Sequence, residues 1–237
     1  MRLKTWLRKA GFEVTWYRPT SSPVARRMHL LETNRIDLIF DVGANAGQYA
    51  TSLREGGYRG RIVSFEPLTS AFSRLEASAK ADPLWEVVNI GLGDRDERAT
   101  INVAGNSQSS SLLDMLPAHS KAAPISAYVG TQEIAVSRLD SIFSKYHRPG
   151  DRTFLKLDTQ GYERKILEGA SLSLKEILGI QVEMSIEPLY SNEMPYLEML
   201  GYLAGMGFTL ASIEPGFGDE VSGRMLQMDG IFFRVGG

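Results

Sequence analysis

The sequence predicts an α/β fold: a doubly wound, mostly parallel sheet of seven strands with helices on both faces. Three observations carry that prediction. Short apolar runs alternate with helical patterns as β-α-β-α-β from residue 36 to residue 90. The alternation resumes near residue 154 after an irregular middle. The first two runs each end in an acid, at the sheet edge where open parallel sheets bind ligands.

Ile36 to Asp41 is a compact apolar run closed by acid and glycine, as a buried parallel strand requires. Asn45 to Arg54 reads as a helix stopped by Gly56 and Gly57. Arg61 to Glu66 is the second strand. Thr69 is placed to cap a helix reaching Lys80, with Phe72, Leu75 and Ala79 on one side. Trp85 to Ile90 is the third strand. Ala99 to Val103 and Glu133 to Ser137 read as short strands, followed by a helix over Leu139 to Tyr146. Residues 105–130 between those strands are rich in Ser, Ala and Pro. They are too long for an idle connection and are predicted to be a lid or substrate loop. Phe154 to Asp158, Ile180 to Ile186, Phe208 to Ile213 and Ile231 to Val235 complete the seven strands. Helices over Tyr162 to Leu167 and Tyr196 to Met206 fall among them, and a Gly-rich segment from Glu214 to Asp229 joins the last two strands.

This core, residues 36–237, suits one domain in a chain of 237 residues, 43% of them apolar. Residues 1–35 precede it as a basic helical extension. Met1 to Arg27 holds seven basic residues against Glu13 alone, and Leu3, Trp6, Leu7 and Ala10 follow helical spacing. Such a helix either packs on the domain or lies on an anionic membrane surface, so residues 1–27 are a candidate peripheral membrane contact. The net charge of −2 argues against a nucleic-acid partner. Without cysteine there is no disulfide framework and no thiolate site. No apolar run approaches the roughly 20 residues needed to span a bilayer. With no signal-peptide pattern either, the expected location is cytoplasmic, at the inner membrane face if the basic helix binds there.

The turn after the first strand reads Asp41-Val42-Gly43-Ala44-Asn45-Ala46-Gly47. Gly43 permits a sharp turn and close backbone approach, and Gly47 lets the next helix sit near the strand. A dinucleotide loop needs a third glycine where Asn45 stands, and Asp41 would repel its pyrophosphate. S-adenosylmethionine has no phosphate and carries a sulfonium and an ammonium, so this loop suits it. A non-catalytic adenosyl-binding module and a nucleotide-dependent oxidoreductase are the alternatives. Glu66 is placed to accept ribose hydroxyls in either cofactor.

Those turn residues, Phe65-Glu66-Pro67, and Leu155-Lys156-Leu157-Asp158-Thr159-Gln160-Gly161-Tyr162-Glu163 together resemble the FkbM family of methyltransferases. Asn89 with Gly91 to Asp94, Ser110 to Leu112, and Asp229 to Phe233 extend the likeness over residues 36–235. The family has the Rossmann-like class I methyltransferase sheet. The resemblance implies S-adenosylmethionine-dependent O-methylation of a sugar, glycolipid or related natural product. It also implies site roles. Asp41, Gly43, Asn45 and Gly47 would hold the methionine part, Glu66 with Pro67 the ribose, and Asn89, Ile90 and Gly91 the adenine. Asp158 would sit beside the methyl. Gln160 departs from the acid usual at that position of the family.

Methyl transfer to an alcohol profits from a base near the hydroxyl, by roughly 10²- to 10⁴-fold. Asp158 faces the same crevice as Asp41, unless it serves to cap the following helix. His119 lies in the long loop and titrates near neutral pH. Glu183 is a mid-strand acid that needs a partner if buried. Asp158 and Glu183 as a Mg²⁺ pair is a weaker option, since no third ligand is evident, and His29 and His147 lack metal spacing. The acceptor segments, Gln108 to Tyr128, Ser185 to Glu193 and Glu214 to Gln227, contain Tyr128, Tyr190, Phe217 and Arg224.

Overall fold

In the computed structural model, which describes residues 2–234, every position of the first strand is buried. The chain opens with helices α1 (Arg2–Lys9) and α2 (Pro23–Thr33). It continues through β1 (Leu38–Val42), α3 (Gln48–Glu55), β2 (Arg61–Phe65), α4 (Thr69–Ala79) and β3 (Trp85–Val88). The middle holds β4 (Gly91–Leu92), β5 (Glu97–Ala104), α5 (Pro117–Ala122), β6 (Tyr128–Ser137) and α6 (Leu139–Tyr146). The last third is β7 (Thr153–Leu157), α7 (Glu163–Glu168), β8 (Ile177–Ser185), α8 (Tyr196–Gly205), β9 (Phe208–Pro215) and β10 (Gln227–Arg234).

The main sheet has seven strands in the order β3-β2-β1-β7-β8-β10-β9. All neighbours are parallel except β10, which runs against both β8 and β9. This is the expected doubly wound sheet. Strand order reverses between β1 and β7, so the crevice opens beyond Val42 and Leu157. One face packs Phe40, Phe65, Leu155 and Leu157 under α6, α7 and α8. The other packs Ile39, Ile62, Phe154 and Phe233 against α2, α3 and α4.

Three features differ from the sequence reading. The two middle strands are longer than expected and pair antiparallel, joined by β4 in a separate three-stranded sheet, β4-β6-β5. Thr69 does not cap α4; Leu68 holds that position, and its N–H is taken by the Glu66 carboxylate at 2.8 Å. The expected extension over residues 1–35 divides in two. Helix α2, capped by Ser22 and opened by Pro23, is part of the core through the fully buried Leu31. Its Arg27 is buried and pairs with Glu214 of β9 at 2.9 Å.

Candidate active site

The turn after β1 has little conformational choice. Gly43 sits at φ +76°, and a Cβ there would lie 1.8 Å from the Asp158 carbonyl oxygen. Only glycine lets the loop pass so close to the end of β7. Asn45 is also left-handed, at φ +47°, and its side chain accepts from Ala46 N–H at 2.9 Å. Glu66 closes the turn from β2, one oxygen accepting from Asn45 N–H and the other from Leu68 N–H, both at 2.8 Å. Burial pushes the Glu66 carboxyl up to about 7 despite those two bonds.

Two cavities flank this turn. The first encloses about 580 Å³, part of it open to solvent. Gly43, Asn45, Glu66, Pro67, Ile90 and Gly91 are among its lining residues. Its outer wall is the small sheet, through Leu92, Ile101 and Ile134. The second, about 870 Å³, is bordered by Tyr49, His119, Lys156, Glu183, Phe217 and Gln227. Gly43, Asn45, Gln108, Asp158 and Gln160 line both, so the two cavities meet at Asp158.

The lining of the first cavity has the chemistry that S-adenosylmethionine needs. Each Glu66 oxygen keeps one lone pair for a ribose hydroxyl. Apolar side chains form a slot for a purine. The carboxylate of Asp158, whose side chain is 37% exposed, stands where the cavities meet and suits a cation rather than a phosphate.

Three of the residues assigned to the cofactor are placed otherwise. Asp41 is fully buried within the sheet, beside Ser64 and Lys156 in register, and lines neither cavity. Its carboxylate accepts from Ser64 Oγ at 3.0 Å and lies 3.6 Å from Lys156 Nζ. Gly47 lies outside both cavities; a Cβ there would meet the Trp85 ring at 2.8 Å, so it serves the packing of α3. Asn89 also lies outside; its amide ties the carbonyls of Glu66 and Pro67 at 2.8 and 3.1 Å.

The three proposed bases do converge on the second cavity. Asp158 does not cap the next helix. That helix begins at Glu163, whose carboxylate takes the N–H groups of Thr159 and Gly161 instead. Asp158 accepts from Lys156 Nζ at 3.2 Å and from Gln160 Nε2 at 3.0 Å. Burial alone would depress the Lys156 ammonium, but Asp158, Asp41 and Asp229 hold it above its ordinary range. It is therefore a fixed cation beneath Asp158. Glu183 accepts from Gln160 Nε2 at 2.7 Å and from Gln227 Nε2 at 2.9 Å. Burial, then Asp158 and Asp229, push its carboxyl well up.

His119 is 3% exposed, which its position in a long polar segment did not foretell. Its ring packs edge-on to Tyr190 and beside Phe217, both with centroids at 5.2 Å. Nδ1 is buried without a hydrogen-bond partner among the described residues. Burial holds the imidazole below its ordinary value of 6.5, so it is neutral at pH 7.

A Mg²⁺ ion does not fit between Asp158 and Glu183, because the Gln160 amide fills that place and Lys156 takes the other Asp158 oxygen. Among the described residues no cluster of three His, Asp or Glu could hold a metal. Lys156, Gln160 and Tyr49 are among the residues of the second cavity that the sequence reading did not assign. Lys156 carried a signal: it is a charge inside the apolar run Phe154 to Leu157. Of the aromatic acceptor candidates, only Phe217 lines the second cavity. Tyr190 is fully buried, the Tyr128 hydroxyl donates to Leu113 O at 2.7 Å, and Arg224 pairs with Glu187 at 2.8 Å.

Residues 41–210 match the model of the methyltransferase FkbM domain. The chain superposes on the crystal structure of methyltransferase FkbM from Methylobacillus flagellatus KT with a TM-score of 0.51. Identity is 15%, over 84% of this chain and 43% of that one, a likeness of fold alone. An rRNA methylase from Streptococcus thermophilus gives a TM-score of 0.49 at 12% identity, over 90% of this chain and 97% of that one. The AMB antimetabolite synthetase AmbE of Pseudomonas aeruginosa is 33% identical over 97 residues, 40% of this chain but 5% of that protein. This chain thus spans under half the length of both the FkbM structure and the synthetase.

Proposed function

Because this chain belongs to the FkbM family of methyltransferases, we propose that it methylates a hydroxyl oxygen of a sugar, glycolipid or related natural product, with His119 receiving the proton. Bound S-adenosylmethionine supplies an electrophilic methyl on a sulfonium. The observation that carries the reading is the buried His119 ring, whose Nδ1 has no hydrogen-bond partner among the described residues, in a cavity that meets the first one at Asp158. A hydroxyl is a weak nucleophile until a base takes its proton. Burial holds the His119 imidazole below its ordinary value, toward the neutral form that can take a proton, and its Nδ1 has no competing partner among the described residues. Asp158, braced by Lys156 and Gln160, sets a carboxyl at the junction as an electrostatic partner for the sulfonium; as the methyl moves to the acceptor oxygen, that positive charge passes with the hydroxyl proton to the His119 ring. Gln48, Asn106, Gln108 and Gln227 line the acceptor cavity with amides, and Phe217 adds an aromatic face. Amides and one ring suit a polyol, which presents hydroxyls at its edge and C–H groups on its face.

The test is transfer of labelled methyl from S-adenosylmethionine to a panel of sugars, glycolipids, hydroxylated natural products and RNA fragments. A methyl ether on a hydroxyl, lost with His119→Ala while S-adenosylhomocysteine still binds, is the expected result. Methylation of a base nitrogen alone would overturn the proposal.

A further inference from the structure

Five exposed large apolar side chains fall within the twelve residues from 6 to 17. Trp6 is 64% exposed, Phe12 65%, Val14 54%, Trp16 66% and Tyr17 64%. The other nine exposed large apolar residues described are spread from residue 84 to residue 225. A cluster of this kind, unlike single exposed residues, marks an interaction surface.

The segment is ordered by its own backbone. Gly11, two residues beyond the end of α1, is left-handed at φ +83°. Phe12 N–H donates to Leu7 O at 2.8 Å and Gly11 N–H to Arg8 O at 3.1 Å, the paired bonds that turn a chain back over its last helical turn. Its far end is moored to α2. Ser21 Oγ donates to Trp16 O at 2.7 Å, Ser22 N–H to Arg18 O at 2.8 Å, and Arg26 Nε to Pro19 O at 2.8 Å. Charge accompanies the aromatics. Residues 1–21 hold Arg2, Lys4, Arg8, Lys9 and Arg18 against Glu13, and Arg8 pairs with that acid on the surface. Arg27 is not part of this surface, being buried against Glu214.

We propose that residues 5–18 are a peripheral anchor that seats Trp6, Phe12, Trp16 and Tyr17 in the headgroup layer of an anionic lipid bilayer. Tryptophan and tyrosine favour that layer because each has an apolar body and a polar edge. The basic residues complement acidic headgroups. The net charge of −2 for the whole chain disfavours a nucleic acid as partner. No helix among the described residues is long and apolar enough to cross a membrane, so the contact is an interfacial one. The inference does not depend on which hydroxyl is methylated.

Tryptophan emission reads this contact directly, because the third tryptophan, Trp85, is buried at 7% and stays unchanged. Titrating the full chain with phosphatidylglycerol–phosphatidylcholine vesicles should shift emission to the blue and co-sediment the protein. Binding should fall by roughly tenfold or more on pure phosphatidylcholine, and again at high salt. Trp6→Ser with Trp16→Ser should abolish sedimentation while S-adenosylhomocysteine binding by calorimetry is unchanged. Absence of binding to the anionic vesicles would overturn the proposal. So would equal sedimentation of the double variant, or a blue shift without vesicles that tracks dimerisation of the chain.

Discussion

The Tyr190 hydroxyl donates to the side-chain carbonyl of Gln160 at 2.7 Å, and this decides which end of that amide faces the two carboxylates. With the oxygen held by Tyr190, Nε2 must point at Asp158 and Glu183. Gln160 also stands at φ +57°, a left-handed conformation uncommon for its type. One neutral amide thus bridges Asp158 and Glu183, whose carboxyl is pushed well up by burial and by Asp158.

Gln160→Glu removes that clamp, because an ionised carboxylate donates nothing and sets a further acid against Asp158 and Glu183. We expect methyl transfer to fall by roughly 10²-fold, the cost of small misplacements at reacting centres. Activity should recover partly as pH is lowered, since a protonated carboxyl again donates one bond. The variant should also gain a thermal shift with Mn²⁺ that the parent chain lacks. Parental turnover with an unchanged pH profile would rule out a positioning role for Gln160.

Gly43→Ala places a methyl against the Asp158 carbonyl, at a φ that L side chains rarely adopt. The backbone strain alone is about 1–3 kcal/mol. Relief requires the loop to leave β7, and with it the wall shared by both cavities. S-adenosylhomocysteine binding by calorimetry should be lost, with a clear fall in Tm. Gly223→Ala, also at positive φ but in open space, is the control and should leave binding intact.

How legible these sites are in the sequence follows from what each depends on. The turn at Gly43 is local: an apolar run, an acid and a glycine specify it. The small sheet walling the first cavity rests on pairing between Glu97–Ala104 and Tyr128–Ser137 across a long connection, which pattern alone shows only as two short strands. Asp41 reads as a ligand because it ends an apolar run. Register places it instead beside Lys156, buried inside the sheet with its carboxyl 3.6 Å from that ammonium. Tyr190 reads as an acceptor contact because it lies beyond β8, yet its ring is fully buried and its hydroxyl faces inward. Burial of a loop residue is a tertiary property that no local spacing reports.

His119 predicts the acid limb of the rate profile. Its pKa lies below 6.5, so the base form is lost only as pH falls beneath the ordinary imidazole range. kcat/KM for an alcohol acceptor should therefore rise from acid pH and level off below pH 7. His119→Gln should remove that limb and lower kcat by roughly 10²- to 10⁴-fold. A limb that persists in the variant would assign the base to another group.

Glu66 and Glu163 are both pushed from 4.5 up to about 7 by burial. A carboxyl raised in the folded state binds its proton more tightly there than when unfolded. Its contribution to stability is then full below pH 4.5 and is lost as pH rises toward 7. Each group accounts for at most ~3 kcal/mol over that window. Denaturant midpoints should fall between those pH values, and Glu163→Gln should flatten the slope. A slope unchanged in that variant would show that other groups carry the pH dependence.

The pair Arg27–Glu214 tests whether α2 belongs to the domain. Both side chains are 9% exposed, and Arg27 also lies over the Tyr49 ring at 5.0 Å. Tyr49 lines the second cavity, so the pair supports one of its walls from behind. Arg27→Met leaves Glu214 buried without its cation and should cost about 3–5 kcal/mol. Adding Glu214→Leu removes the orphaned charge and should recover most of that loss, because two apolar side chains can fill the same space. Urea unfolding of the single and double variants measures both values. If the single variant costs less than ~1 kcal/mol, α2 is a loosely held extension and the buried pair does not bind it to β9.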